Sequence, residues 1–254
     1  MAKPVKFDEL NTFSLQALID SGMRTAILPT GATEQHGPHL PLSLDYRCAE
    51  AIAHGVSEQT GIPVFPALPF GHSGGHLGFP GNLSLRPETF QRVIEELSEW
   101  AYNMGFRQLV FLNGHLPNLF PLQCAVTNLL VAHADFQLKA LNWWDITPEL
   151  QKHMFGDNSY GFPHGNLIET ALMRYLRDDL VDMAKATPVP GQGKKLFFSY
   201  LMRNISRTGH LGDPGPSSVE FGEKLYRMAV DGLSAQLRAA REETPPVTEP
   251  PLVR

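Results

Sequence analysis

Between Leu28 and Asp45 the chain concentrates residues able to hold a metal. Glu34 and His36 stand two positions apart, and His39 and Asp45 follow within a loop thick with Gly and Pro. In an extended segment, residues i and i+2 face the same side. A carboxylate and an imidazole can therefore look into one pocket, and Asp45 can return to it from the far end of the loop. Carboxylate oxygens and imidazole nitrogens form a donor set for a divalent ion such as zinc, manganese or iron. A lone His36 or His39 reads most simply as a satisfied loop histidine; it is the cluster with Glu34 and Asp45 that points to a metal.

The surrounding elements bring further candidates beside that loop. Residues 8–22 predict a short amphipathic helix, and residues 25–29 a buried strand leading into the loop. Tyr46 to Glu58 predicts a helix closed by Gly61. Residues 62–70 then read as a strand interrupted by prolines, and so near a sheet edge. Ser73 and His76 fall in the Gly-rich loop that follows. Pro87 to Met104 predicts a helix with Pro87 at its first turn, Glu88 suited to its N-terminal dipole and Gly105 as its stop. A strand over 107–112 ends in Asn113-Gly114-His115, where Gly114 suits a turn with an unusual backbone angle. A helix from about Pro117 to His133 and a strand over 136–141 come next. That strand runs into Trp143 and Trp144; adjacent residues at a strand end face opposite ways, so one packs in the core and one lines a pocket. After a loop reaching Phe162, His164 precedes and Glu169 begins a helix from Leu167 to Arg177. Residues 183–216 lack periodicity, and Gly191 to Lys195, without Walker spacing, reads as a mobile loop. A long amphipathic helix from about Ser217 to Arg241 closes the fold, with Ser217 or Ser218 as its cap.

Strands alternating with helices in this way predict an α/β class fold, a mostly parallel sheet covered on both faces. Residues 1–242 are expected to form one domain and 243–254 a Pro-rich, extended tail. Ligands of such sheets bind beyond the carboxyl ends of the strands. The candidates converge on that edge: Glu34, His36 and Asp45 after one strand, Ser73 and His76 after the next, His115 after a third, Trp143 and Trp144 after a fourth. His164 and Glu169 join them from a helix start.

Bulk properties remove several function classes. The net charge of −5 lacks the basic excess of a general nucleic-acid binder. No apolar run approaches a membrane span, and the first residues lack a signal core. Two cysteines far apart, Cys48 and Cys124, suit a reduced, cytoplasmic setting and leave any metal to His and carboxylates.

If Glu34, Asp45 and Glu169 share a site with His36 and His115, three negative charges meet two neutral ligands. One divalent ion leaves the site at −1; two leave it at +1, which a bridging hydroxide would neutralise. Two ions about 3.5–4 Å apart form a hydrolytic centre, and Asp45, having two oxygens, is the expected bridge. A rival motif is Gly71-His72-Ser73-Gly74-Gly75, which matches the nucleophile elbow of serine hydrolases. The elbow needs a helix directly after the Ser, and His-Leu-Gly-Phe-Pro-Gly at 76–81 does not start one. Ser73 therefore reads as a substrate-contacting hydroxyl.

The loop Gly31 to Asp45 resembles the signature of the creatininase (creatinine amidohydrolase) family. So do Gly71 to Gly81 with Ser84-Leu85, Asn113-Gly114-His115, His164-Gly165 with Glu169-Thr170, and the segment Gly212-Asp213-Pro214 with Ser217, Glu220, Gly222 and Glu223. The match spans nearly the whole chain in order. It implies a three-layer α/β/α sandwich, often hexameric, with a dinuclear zinc, manganese or iron site. It implies one ion on Glu34, Asp45 and His115, and another on His36, Asp45 and Glu169. His164 matches the family histidine that protonates the leaving nitrogen. The implied chemistry is hydrolysis of a cyclic amide or formamide C–N bond on a small molecule. Ser73, His76, Trp143 and Trp144 are the expected substrate contacts. The chain departs from the family where it offers an acid: Leu116 and Pro117 follow His115 in place of an aromatic and a Glu, and Leu167 stands where other members carry Glu. A divergent member is expected, with creatinine a poor substrate. The competing readings are a metal-binding homologue that has lost turnover and a serine hydrolase using Ser73.

Overall fold

The structure is a computed structural model and describes residues 2–156, 163–189 and 196–247. Three regular strands occur among the described residues: β1 (Thr25–Thr30), β2 (Gln108–Asn113) and β3 (Gln137–Asn142). They are parallel, in the order β1-β2-β3. Thr30 pairs with Asn113 and Asn113 with Asn142, so the three strands end level.

Alternation along each strand feeds two separate cores. Ala26, Leu28, Leu109 and Phe111 enter one, and Ile27, Val110, Leu112 and Leu141 enter the other. Helices α1 (Thr12–Asp20), α3 (Pro87–Asn103) and α4 (Leu119–Ala132) cover the first face. Helices α2 (Leu44–Thr60), α5 (Pro148–Phe155), α6 (Leu167–Arg177) and α8 (Val219–Ala240) cover the second. A single turn, α7 (Met202–Ile205), follows α6. This is the three-layer α/β/α sandwich with a parallel sheet. Each fully buried Leu, Ile or Phe in these layers contributes about 1.5–3 kcal/mol. That burial on both faces is why the strands read as nearly continuous apolar runs.

The segment over 62–70 is not a regular strand. It touches β1 only through isolated bridges at Val64 and Leu68. Pro63, Pro66 and Pro69 each lack an N–H at a spacing of three, so the ladder cannot continue. Helix α5 was not legible as an element in the sequence. Thr147 caps it by accepting from the Leu150 amide, Pro148 begins it, and only Leu150 and Met154 are buried. Trp143 to Asp145 turn off β3 as a short 3-10 helix rather than extending the strand. Gly191 to Lys195, Phe162 and the tail from Thr248 lie outside the described residues. No helix among the described residues is long and apolar enough to cross a membrane.

A polar ladder ties the carboxyl edge of the sheet together. Thr30 Oγ1 donates to Asn113 Oδ1 at 3.1 Å, Asn113 Nδ2 to Asn142 Oδ1 at 2.7 Å, and Asn142 Nδ2 to Asp145 Oδ2 at 2.7 Å. Asn118 Nδ2 adds a bond to the Gly31 carbonyl at 2.9 Å. These buried amides are satisfied by one another, which makes the edge a rigid platform.

Candidate metal centre

Each candidate is delivered by a distinct local device. Glu34 and His36 come from the loop after β1. Asp45 lies in the first turn of α2, where the helix dipole favours a carboxylate. His115 follows β2. Its approach to Asp45 depends on Gly114, since a Cβ there would stand 2.1 Å from the Asp45 carbonyl oxygen. Gly114 does not have a positive φ. The glycine is required by close approach rather than by the unusual backbone angle expected of it. Glu169 lies in the first turn of α6, whose cap, Asn166, accepts from the Ile168 and Glu169 amides at 3.1 and 3.2 Å. Glu169 Oε2 also accepts from the Gly165 amide at 2.6 Å.

Glu34, His36, Asp45, His115, His164 and Glu169 are all buried and all meet. Glu34, Asp45 and His115 form one group whose potential ligand atoms lie within 4.8 Å of one another, and His36, Asp45 and Glu169 form a second. Asp45 belongs to both. Its Oδ1 is 3.0 Å from His36 Nε2 and its Oδ2 is 3.2 Å from His115 Nδ1. Glu34 Oε1 lies 3.3 Å from His115 Nδ1, 3.5 Å from His76 Nε2, 3.7 Å from His36 Nε2 and 3.8 Å from His164 Nδ1. Neither Glu34 oxygen, nor Asp45 Oδ2, has a hydrogen-bond partner among the described residues. Buried carboxylate oxygens left unpaired among imidazoles suit a cation, which would satisfy them together.

Neighbouring carbonyls orient the rings. His115 Nε2 donates to the His72 carbonyl at 2.9 Å, and His36 Nδ1 to the Glu34 carbonyl at 3.3 Å. Each neutral ring then turns its bare nitrogen towards the carboxylates, the arrangement found around metal-ligating histidines. Without cations, protons balance the charge. Burial pulls the His36 ring down, but Asp45, Glu34 and Glu169 outweigh it and raise it to about 9. Burial opposes protonation of His115 too, yet Glu34 and Asp45 carry it well above its ordinary value. Burial raises Asp45, but His36 and His115 bring it down to about 2. Burial is the main cause that lifts Glu169 to about 7.

A cavity of about 100 Å³ opens beside this cluster. His36, Asp45, His76, His115, His164 and Glu169 form its polar wall, and Leu116, Pro117, Trp144, Met154, Pro163 and Met202 its apolar wall. Trp144 lines the cavity with its indole N–H unpartnered among the described residues, whereas Trp143 packs in the core. Ser73 is buried, its hydroxyl unpartnered among the described residues, and does not line the cavity. It is followed by a 3-10 turn, Gly74–His76, and makes no bond to a histidine, so the elbow geometry is absent. His72 and Asp145 are occupied elsewhere, the former with the Leu85 carbonyl and the latter with Asn142 and Gln151.

A family model described as Creatininase: creatinine amidohydrolase matches residues 8–237. The chain belongs to the creatininase family. It is 30% identical to the creatinine amidohydrolase of Pseudomonas putida over 97% of this chain and 100% of that protein. It is 29% identical to the mycofactocin precursor peptide peptidase of Mycolicibacterium smegmatis, over 84% of this chain and 83% of that one. Among solved structures, a zinc–zinc form of a creatininase variant superposes with a TM-score of 0.83 at 28% identity, covering 95% of this chain and 100% of that chain. Creatininase has also been solved with manganese. Metal-containing members thus share the fold, and this creatininase-family chain carries its own metal-capable groups of His, Asp and Glu.

Two features of the site escaped the sequence pattern. Met154 and Met202 complete the apolar wall from α5 and α7, elements with weak periodicity. Gln35 sits between Glu34 and His36, and simple alternation turns it away from them. It is nevertheless buried, with its amide bonded to His76, Gly209 and Gly37.

Proposed function

We propose that this protein is a metal-dependent amidohydrolase that cleaves the C–N bond of a small cyclic amide or formamide-type substrate. The observation that carries the reading is a pair of three-residue donor groups sharing Asp45, with both Glu34 oxygens and Asp45 Oδ2 unpaired among the described residues. Glu34, Asp45 and His115 would hold one divalent ion; His36, Asp45 and Glu169 would hold the other. Zinc, manganese and iron all fit this oxygen and nitrogen set. When bound, the ions would supply Lewis acidity for a carbonyl oxygen and lower the pKa of water towards neutrality.

The chain's own residues do the rest. Asp45 and the two ligand histidines are held by main-chain carbonyls and helix starts, so the site is preorganised. His164 has its Nε2 committed to the Gln35 carbonyl at 2.8 Å, which leaves Nδ1 as the atom that exchanges a proton with substrate. From there it takes a proton from the attacking water and passes that proton to the departing nitrogen. Trp144, Met154 and Met202 exclude water and favour an uncharged ligand small enough for a cavity of about 100 Å³. Leu116 and Pro117 present no acid to that cavity, which makes creatinine a poor substrate.

The same apolar positions favour one second reading, a homologue that keeps its metals without turnover. Metal-stripped and reloaded protein, assayed against lactams, formamides and cyclic ureas, separates the two. Turnover lost with chelation and restored by zinc or manganese supports the amidohydrolase. No turnover on any of these, with two ions bound, overturns it for this substrate class.

A further inference from the structure

Gln35 makes more polar contacts than any role in ligand spacing requires. Its Nε2 lies 2.7 Å from the Gly209 carbonyl, 2.8 Å from His76 Nδ1 and 3.3 Å from His164 Nε2, and its Oε1 accepts from the Gly37 amide at 3.0 Å. Rotating the amide by 180° would set oxygen against the Gly209 carbonyl and nitrogen against the Gly37 N–H, so its orientation is determined. The fit is close: a Cβ on Gly209 would stand 1.9 Å from Gln35 Oε1. Asn82 Oδ1 anchors the main chain by accepting from the Gln35 amide at 2.9 Å.

These contacts decide which ring atoms carry hydrogen. His164 Nε2 meets the Gln35 main-chain carbonyl at 2.8 Å, so in the neutral ring that nitrogen is the donor. It cannot also accept from the Gln35 side chain. The two amide protons therefore go to Gly209 and to His76 Nδ1, and His76 carries its hydrogen on Nε2. Both free ring atoms lie beside Glu34 Oε1, His76 Nε2 at 3.5 Å and His164 Nδ1 at 3.8 Å.

We infer that Gln35 is a positioning residue whose side chain pins His76 as an N–H donor while its carbonyl pins His164 as an acceptor, giving the cavity a complementary donor–acceptor pair. Such a pair matches an amide that bears an N–H: the carbonyl oxygen faces His76 and the N–H faces His164. The consequence for turnover rests on the amidohydrolase reading; the tautomers do not. The substrate class narrows accordingly to primary and secondary amides.

The test is a long-range proton–nitrogen correlation spectrum of histidine-labelled protein, zinc-loaded and zinc-free, with the His76 and His164 signals assigned by their loss in His76→Asn and His164→Asn. Both rings should carry hydrogen on Nε2. In Gln35→Glu, His76 should move its hydrogen to Nδ1 or gain a second proton, while His164, held by the main chain, stays unchanged. Should Gln35→Glu fail to fold, Gln35→Met should give mixed tautomers at His76 alone. Hydrogen on His76 Nδ1 in the native protein, or an unaltered His76 in the variants, overturns the inference. On a secondary lactam, Gln35→Met should lower kcat about 100-fold with KM little changed, as for loss of one aligned donor. Correct tautomers without turnover on any amide would instead count against the amidohydrolase reading.

Discussion

Replacing Asp45 with asparagine should empty both halves of the metal centre. Asp45 is the residue common to the two donor groups, with Oδ1 at 3.0 Å from His36 Nε2 and Oδ2 at 3.2 Å from His115 Nδ1. Asparagine keeps the shape and removes the charge. A unit charge about 4 Å from another, at an effective dielectric constant near 20, is worth roughly 4 kcal/mol. That corresponds to about a 10³-fold loss of affinity for each ion, and a ligand in direct contact loses more. The variant also removes the main influence holding the His36 proton in place, so His36 should fall from its raised value of about 9. The assay is elemental analysis after desalting, with circular dichroism to verify the fold. Glu34→Gln and Glu169→Gln serve as companions, since each belongs to one of the two Asp45-sharing groups. The expected contents are close to zero ions for Asp45→Asn and one for each companion. One ion at full occupancy in Asp45→Asn would refute the bridging argument.

Further outcomes follow from the same geometry. Zinc uptake at pH 7.5 should release about two protons, because the raised His36 and His115 rings hold protons that a cation must displace. Affinity should then rise with pH up to about 9, the value of His36; calorimetry in buffers of different ionisation enthalpy measures the release, and none would contradict it. Gly114→Ala should cost about 3 kcal/mol, because its Cβ would press on the Asp45 carbonyl at 2.1 Å. An unchanged melting temperature and metal content would show that the close approach does not matter. Ser73→Ala should retain most activity, and abolition with metals in place would revive the serine hydrolase reading. Creatinine should open far more slowly than the best lactam, and efficient opening would show that an acid at position 117 or 167 is dispensable.

The parts of the site legible in the sequence were those carried by short-range rules. Glu34 and His36 read as a pair because their i, i+2 spacing survives in the folded loop. Glu169 read as a residue at a helix start because α6 carries strong apolar periodicity behind its Asn166 cap, whereas Asp45, expected at the far end of the loop, lies in the first turn of α2, which begins at Leu44 without a side-chain cap. Three helices and three strands on the path to the site could be placed because both faces of the sheet are buried. What failed was set by tertiary context. The Val64–Leu68 stretch has strand-like residues, but prolines remove the donors that a neighbour would use. Helix α5 buries too few residues to print a period. Gln35 is silent in one dimension, since its importance comes from Gly209, 174 positions away, leaving room for its amide. Gly114 drew attention for the wrong reason, a backbone angle rather than contact with Asp45.

The central claim is a two-metal centre assembled from Glu34, His36, Asp45, His115 and Glu169. Anomalous scattering at the zinc edge, from crystals of zinc-loaded protein, tests it most directly. Two peaks about 3.5–4 Å apart are expected, both within bonding distance of Asp45, one also reached by Glu34 and His115 and the other by His36 and Glu169. A single peak, or two peaks that do not share Asp45, would contradict it.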